Sequence, residues 1–218
     1  MSIQLIEIYT ATLSILIGTI VRKFHRYLGL LMLLPFLGWA VTGVFFFVKP
    51  GYQSAYEPLN IKSYPLGKLP ELPESNDWQQ VRWIRSILGL HLLVEQDGKW
   101  QQLDPDTLEP RSMPDEASLL QMVNDAISAN PDRYGNAKTV SEQKVLTDTN
   151  INISIDWHQM RLRQKGDDTK FINTMYKVHY LQWTGIKFVD RVLGVVGLGL
   201  VVILGMLGLV MTLRSRKA

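Results

Sequence analysis

Apolar and polar positions are segregated along this chain: two long uncharged runs lie toward its ends, and a mixed, charge-bearing stretch lies between them. From Leu28 to Val48 there are 21 residues without a charge, about 31 Å as a helix at 1.5 Å per residue, which matches the hydrocarbon core of a bilayer. A second uncharged run of 22 residues, Val192 to Leu213, closes on "RSRK". Each is long enough to span a membrane. Residues 3 to 21, "IQLIEIYTATLSILIGTIV", form a further apolar segment that carries Glu7. On a helical wheel its Gln4, Glu7, Ala11, Ser14 and Gly18 share one face. Three readings stay open for it: an extra span joined to the next by an "RKFHR" loop, a helix lying in the interface, or a true start of translation near Val21. It has no basic n-region and no small-residue cleavage site, which argues against a signal peptide.

Between the runs the pattern changes to short strands. "YPLGKLPELPES" is a proline-rich connection, and "VRWIRSILGLHLLVE", "QDGK" and "WQQLDP" read as strand material, an Asp-Gly turn and a returning strand. "SMPDEASLLQMVNDAIS" reads as a helix capped by Ser112 or Asp115, with Leu119, Leu120, Val123 and Ile127 on one face and Pro131 as a stop beyond it. "KTVSEQKVL", "NISIDW" and "HQMRLRQKG" add three strands. The expected fold is therefore a two-helix transmembrane hairpin, with a third N-terminal helix as an option, flanking a small α+β domain with an antiparallel sheet and one packed helix. Its parts are an N-terminal apolar segment (1–21), a basic anchor and span (22–48), the α+β domain (49–175), a juxtamembrane segment (176–191), the second span (192–213) and a basic tail (214–218).

Charge sharpens this division. Mean hydropathy is near zero at +0.02, yet residues 49 to 190 carry 16 Lys/Arg against 19 Asp/Glu, while the remainder carries 7 against 1. The net charge of +3 thus belongs to the membrane flanks, and a nucleic-acid reading loses its basis. Arg22, Lys23 and Arg26 precede the first span, and Arg214, Arg216 and Lys217 come after the second. The positive-inside rule places both of these ends in the cytoplasm and the α+β domain outside, in the periplasm of a Gram-negative cell. The chain has no cysteine, so disulfides, thiolate metal sites and a thiol nucleophile are excluded.

"FHRYLGL", "WAVTGVFFFVKPGY", "GKWQQLDPDTLEP", "YKVHYLQWTG" and "DRVLGVVGLGLVVILGMLGLV" together resemble the PepSY-associated transmembrane family over residues 22 to 213. The resemblance implies a bacterial inner-membrane protein with a PepSY-like periplasmic domain. That family includes larger proteins implicated in reducing siderophore-bound iron, whose membrane histidines ligate haem, and small ones of unknown role. This chain has fewer sure spans than those reductases. The resemblance leaves two main functions open: a non-catalytic binding, sensing or accessory module of a membrane complex, and a b-type haem electron-transfer protein linked to ferric siderophore reduction or another membrane redox chain. Control of a periplasmic peptidase is a third, without local support.

Four histidines can carry chemistry. His25 lies in the basic cluster, where Gly29, Met32, Phe36 and Gly43 share its helical face, and His179 sits among Tyr176, Tyr180 and Trp183. Against haem ligation stands the plainer reading of an interfacial anchor for His25 and an aromatic belt for His179. The topology separates the two by roughly the 30 Å of the membrane, so they cannot hold one haem, and a second ligand must come from a symmetry mate or partner. On the second span Gly194, Gly197, Gly205 and Gly208 share a face suited to packing on a homo-oligomer or membrane partner. His91 and His158 read as surface or hydrogen-bonded strand histidines, and Asp156 with His158 makes only two ligands of a metal site. Pro35 is expected to kink the first span, with Thr42 satisfying a local backbone group. No zinc-protease helix, nucleophile elbow, P-loop or dinucleotide fingerprint occurs.

Overall fold

The computed structural model describes residues 2–72 and 77–215, with side chains from Thr12 onward except Ser14 and Ser215. The proposed polar stripe at Gln4, Glu7, Ala11 and Ser14, and the cations Arg216 and Lys217, lie outside the described side chains. Elements run α1 (Ser2–Val48), α2 (Tyr52–Ala55), β1 (Gln80–Ser86), β2 (Gly89–Gln96), β3 (Lys99–Leu103), α3 (Glu116–Ile127), α4 (Pro131–Tyr134), β4 (Ala137–Ser141), β5 (Lys144–Thr147), β6 (Asn152–Asp156), β7 (Arg161–Lys165), α5 (Asp167–His179) and α6 (Lys187–Ser215). They form a helical unit, Met1–Pro50 with Ile172–Ala218, and an α+β unit, Gly51–Phe171.

In the helical unit α1 continues without a break through "RKFHR". These five residues hold no glycine or proline, and their long basic side chains favour a helix. The looped extra span is therefore corrected: the N-terminal segment extends the first span as one helix of 47 residues, about 70 Å long. Pro35 lies inside it. Lys49 ends α1 in the left-handed region at φ 52°, followed by Pro50 and by Gly51 at φ 74°. The apolar stretches of α1 and α6 are only 11% and 6% buried within the chain, whereas a core helix of a soluble protein is mostly covered. Both are long and apolar enough to cross a bilayer.

The two helices pack as an antiparallel hairpin. Gly18 faces Arg214, Gly29 faces Leu204 and Gly208 faces His25, so each step forward on α1 is matched by a step back on α6. Covered positions on α1 recur at His25, Leu28, Met32, Pro35, Trp39, Thr42 and Phe46. These alternating steps of three and four are the seam of a left-handed helix pair.

The α+β unit has two antiparallel sheets, β1-β2-β3 and β4-β5-β6-β7, where the sequence suggested one. "VRWIRSILGLHLLVE" turns back at Ile87-Leu88 into two strands, and "KTVSEQKVL" does the same at Glu142-Gln143. The β2–β3 turn is Asp97-Gly98, both at positive φ, the conformation that two-residue hairpins favour. Both faces of β2 are covered: Leu93 joins the main core with α3, β5, β6 and β7, while Leu92 and Val94 pack with Leu103, Trp78 and Trp83 on the other side. That explains the unbroken apolar run "LLV" in place of alternation. Asp115 caps α3 by accepting from the Ser118 backbone N–H at 2.8 Å, and Leu119, Met122, Val123 and Ile127 are its buried face. Pro131 opens the short α4, as proline at a first helical position does.

The ends of this unit are tied together. Gln164 Nε2 donates to the Ala55 carbonyl at 3.0 Å, and Thr169 Oγ1 to the same carbonyl at 3.3 Å. Arg133 clamps the same corner, donating to Asp168 at 2.8 Å and to Gln164 at 2.7 Å.

Candidate functional site

His179 ends α5 within the helical unit, where three contacts from α1 fix it. Trp39 Nε1 donates to its backbone carbonyl at 2.6 Å, and Phe46 meets its ring edge-on at 5.1 Å between centroids. Thr42 Oγ1 lies 2.9 Å from its Nδ1. Thr42 is 1% exposed, and its hydroxyl lies 2.6 Å from the Gly38 carbonyl. A hydroxyl has one proton to give, and the carbonyl can only accept it. The Thr42 oxygen therefore accepts from His179 Nδ1–H, so in the neutral ring the lone pair is on Nε2. Thr42 serves the local backbone, as the sequence suggested, and also fixes a histidine tautomer.

His179 lines a cavity of about 1040 Å³. Its wall runs from Lys177, Gln182, Lys187 and Arg191 to Val195, Leu198 and Val201. The loop above is held by Asp190, 8% exposed, whose Oδ1 accepts from the Thr184 N–H at 2.9 Å and from the Thr184 hydroxyl at 2.7 Å.

His25 is placed differently. Its Nε2 lies 3.5 Å from where a β-carbon on Gly208 would stand, an ordinary van der Waals approach, so its imidazole packs against α6. Gly29 faces Leu204, whereas Gly43 has nothing within 4 Å. His25 precedes Thr42 by 17 residues on one helix, about 26 Å along its axis. The two histidines are held in separate places. Of the glycine face on α6, Gly194 meets the Tyr180 carbonyl, Gly197 meets Leu181 and Gly208 meets His25, while Gly205 is open, as is Gly199 off that face. Most of that face is used inside the chain.

In the α+β unit the structure singles out His91, which the sequence treated as ordinary. It is fully buried. Its Nδ1 receives Gln102 Nε2 at 2.9 Å and Arg111 Nη1 at 3.3 Å, and its Nε2 lies 2.7 Å from Ser86 Oγ. Because Arg111 can only donate, Nδ1 is the acceptor and Nε2–H donates to Ser86. That is the reverse of a nucleophilic serine dyad, in which Nε2 takes the hydroxyl proton. Burial, and after it the Arg111 charge, lower the His91 pKa to about 4. His91 thus pins β1, β2 and β3 together as a neutral ring. His158 is exposed in the β6–β7 turn, and Asp156 caps that turn by accepting from the Gln159 N–H. No cluster of three metal-ligating acids or histidines occurs among the described residues.

Fold and site together define a class: an α+β unit whose sequence falls between two helices that pair antiparallel and are long and apolar enough to cross a membrane. Compared with family models, with curated proteins and with solved structures, the chain matches none of them.

The sequence missed Trp39, Lys177, Lys187 and Arg191 as site residues. The seam spacing of three and four could have placed Trp39 and Thr42 on the face of His25. Nothing local marks their pairing with His179, more than a hundred residues away.

Proposed function

We propose that this is a PepSY-like protein of the bacterial inner membrane, with the α+β unit in the periplasm acting as a non-catalytic binding, sensing or accessory module. The observation that carries the reading is the pinned state of His91. The one fully buried histidine of the unit is committed, with Ser86, Gln102 and Arg111, to holding a sheet. The cations Arg22, Lys23, Arg26 and Arg214, which flank the two spans on the sides away from residues 51–171 in sequence, support the orientation.

Because the chain has no native cysteine, single introduced thiols test the topology. A membrane-impermeant maleimide should label Lys99→Cys in intact spheroplasts and Lys23→Cys only after permeabilisation. The opposite pattern overturns the orientation.

A second reading is favoured by His179. Its Nδ1–H is satisfied by Thr42 and its Nε2 lone pair is left for a metal, the arrangement by which an outer partner orients an axial histidine. The groove beside it is large enough for haem b, whose acidic groups would meet Lys187 and Arg191, and bound haem would supply one-electron transfer. His25 packs against Gly208 of α6, away from this groove. An absorption spectrum of protein purified from haem-supplied cells separates the readings. The module reading expects no Soret band, whereas a Soret band lost in His179→Ala selects electron transfer.

A further inference from the structure

The groove beside His179 is cationic at one end and apolar along the rest. Lys177, Lys187 and Arg191 line it, all exposed, and none makes an ion pair among the described residues. Its one acid, Asp190, accepts from Thr184 and keeps its negative charge, which Lys177 also feels. Three cations against one engaged carboxylate leave an excess of positive charge facing the open side.

The α6 residues of the groove share one helical face. At 100° per residue Lys187, Arg191, Gly194, Val195, Leu198 and Val201 fall within about 120°. Charge is confined to the first turns, and everything beyond is small or aliphatic. From Arg191 to Val201 the helix rises about 15 Å, half the thickness of a hydrocarbon core. Val195 and Leu198 are 69% and 65% exposed, so the wall opens sideways toward the surroundings of the hairpin. Trp39 has its N–H taken by His179 and offers the groove its apolar body.

We propose that this groove binds an acidic phospholipid from the leaflet on its side of the bilayer. The phosphate sits on Lys187, Arg191 and Lys177, and one acyl chain runs down the Val195, Leu198 and Val201 face. A free phosphate would leave the aliphatic wall unused. A zwitterionic lipid would bring its own cation against the three already there. The proposal rests on the membrane reading but on neither the PepSY nor the haem reading. A protein released from membranes by carbonate wash would fail the membrane reading, whereas a comparison of lipids tests the groove in protein that stays with detergent.

The test uses the full chain in a neutral detergent, with native mass spectrometry reading retained lipid and thermal unfolding reading stabilisation. Phosphatidylglycerol should be retained and raise the midpoint, and phosphatidylcholine should do neither. Retention should fall about fivefold for each cation removed in Lys187→Gln and Arg191→Gln. Leu198→Trp keeps every charge, changes an exposed position and blocks the wall, so it should abolish the preference. Lys23→Gln at the opposite end should leave it intact. The proposal is overturned if phosphatidylcholine matches phosphatidylglycerol, if Leu198→Trp retains full binding, if glycerol phosphate alone gives the same stabilisation, or if Lys23→Gln abolishes it. Protein that purifies with haem in the groove in place of lipid overturns it as well.

Discussion

Acid should loosen the α+β unit through one side chain. His91 holds a folded-state pKa of about 4, lowered from 6.5 by burial first and Arg111 second. Above the ordinary value the ring is neutral whether the chain is folded or not, and its contribution is complete. As pH falls from about 6.5 to about 4 the unfolded chain takes up a proton that the folded chain refuses, so stability declines across that window and this contribution is exhausted below it. At about 1.4 kcal/mol per pH unit, the gap between the two values corresponds to roughly 3 kcal/mol. That is a large part of the stability of a small domain. Urea unfolding of the full-length protein in mild detergent, followed by tryptophan fluorescence, reads it: Trp157 stands edge-on to His91 at 5.7 Å. His91→Gln keeps hydrogen-bonding groups at the site and cannot titrate. It should be less stable than the parent at neutral pH and show a flatter curve between pH 6.5 and 4. Parallel curves for parent and variant across that range would refute the assignment of a buried, neutral His91.

Other perturbations discriminate between parts of the structure. Thr42→Val removes the acceptor for His179 Nδ1–H and should lower hairpin stability by about 1 to 3 kcal/mol, while Thr42→Ser should be nearly silent in the same thermal melt in detergent. Gly197→Ile should loosen the packing of the α5–α6 connection on α6 far more than Gly199→Ile, because a β-carbon at Gly197 would come within 2.6 Å of Leu181 whereas Gly199 is open; the thermal melt in detergent measures it. Gly98→Val should cost about 1 kcal/mol or more, since the residue is held at φ 70°, and amide exchange on β2 and β3 reports the loss. Arg133→Met leaves Asp168 and Gln164 without their donor at a site where the guanidinium side chain is 9% exposed, and should destabilise the α+β unit by a few kcal/mol in the urea titration.

Much of the fold was legible because its signals are local. Two uncharged runs of bilayer length, the Asp97-Gly98 turn and the Leu119, Val123, Ile127 stripe each declare themselves within a short window. The division into two sheets was hidden because strand pairing is decided between distant residues, and the tight turns at Ile87-Leu88 and Glu142-Gln143 carry no glycine or proline. α5 was overlooked since its outward face, with Asp167, Asp168, Lys170 and Lys177, dilutes the apolar positions. His91 was open between a surface and a hydrogen-bonded strand residue, and the choice was not local: the meeting of Ser86, Gln102 and Arg111 around it makes its burial tolerable. His25 and His179 were both conspicuous in sequence, yet their partners, Gly208 and Thr42, come from chain segments far away.

The bonds from Gln164 and Thr169 to the Ala55 carbonyl have a consequence for how such a protein can be built. They bring the first and last turns of the α+β unit to one corner, so the chain enters and leaves that unit through neighbouring points. An element with adjoining ends is an insertion in the architectural sense: it can be lifted out, exchanged or circularly permuted without asking the host to move. The helical pair, meanwhile, owns a continuous seam that needs nothing from residues 51–171. Evolution and protein engineering have the same freedom here, to keep the membrane frame and change what it displays.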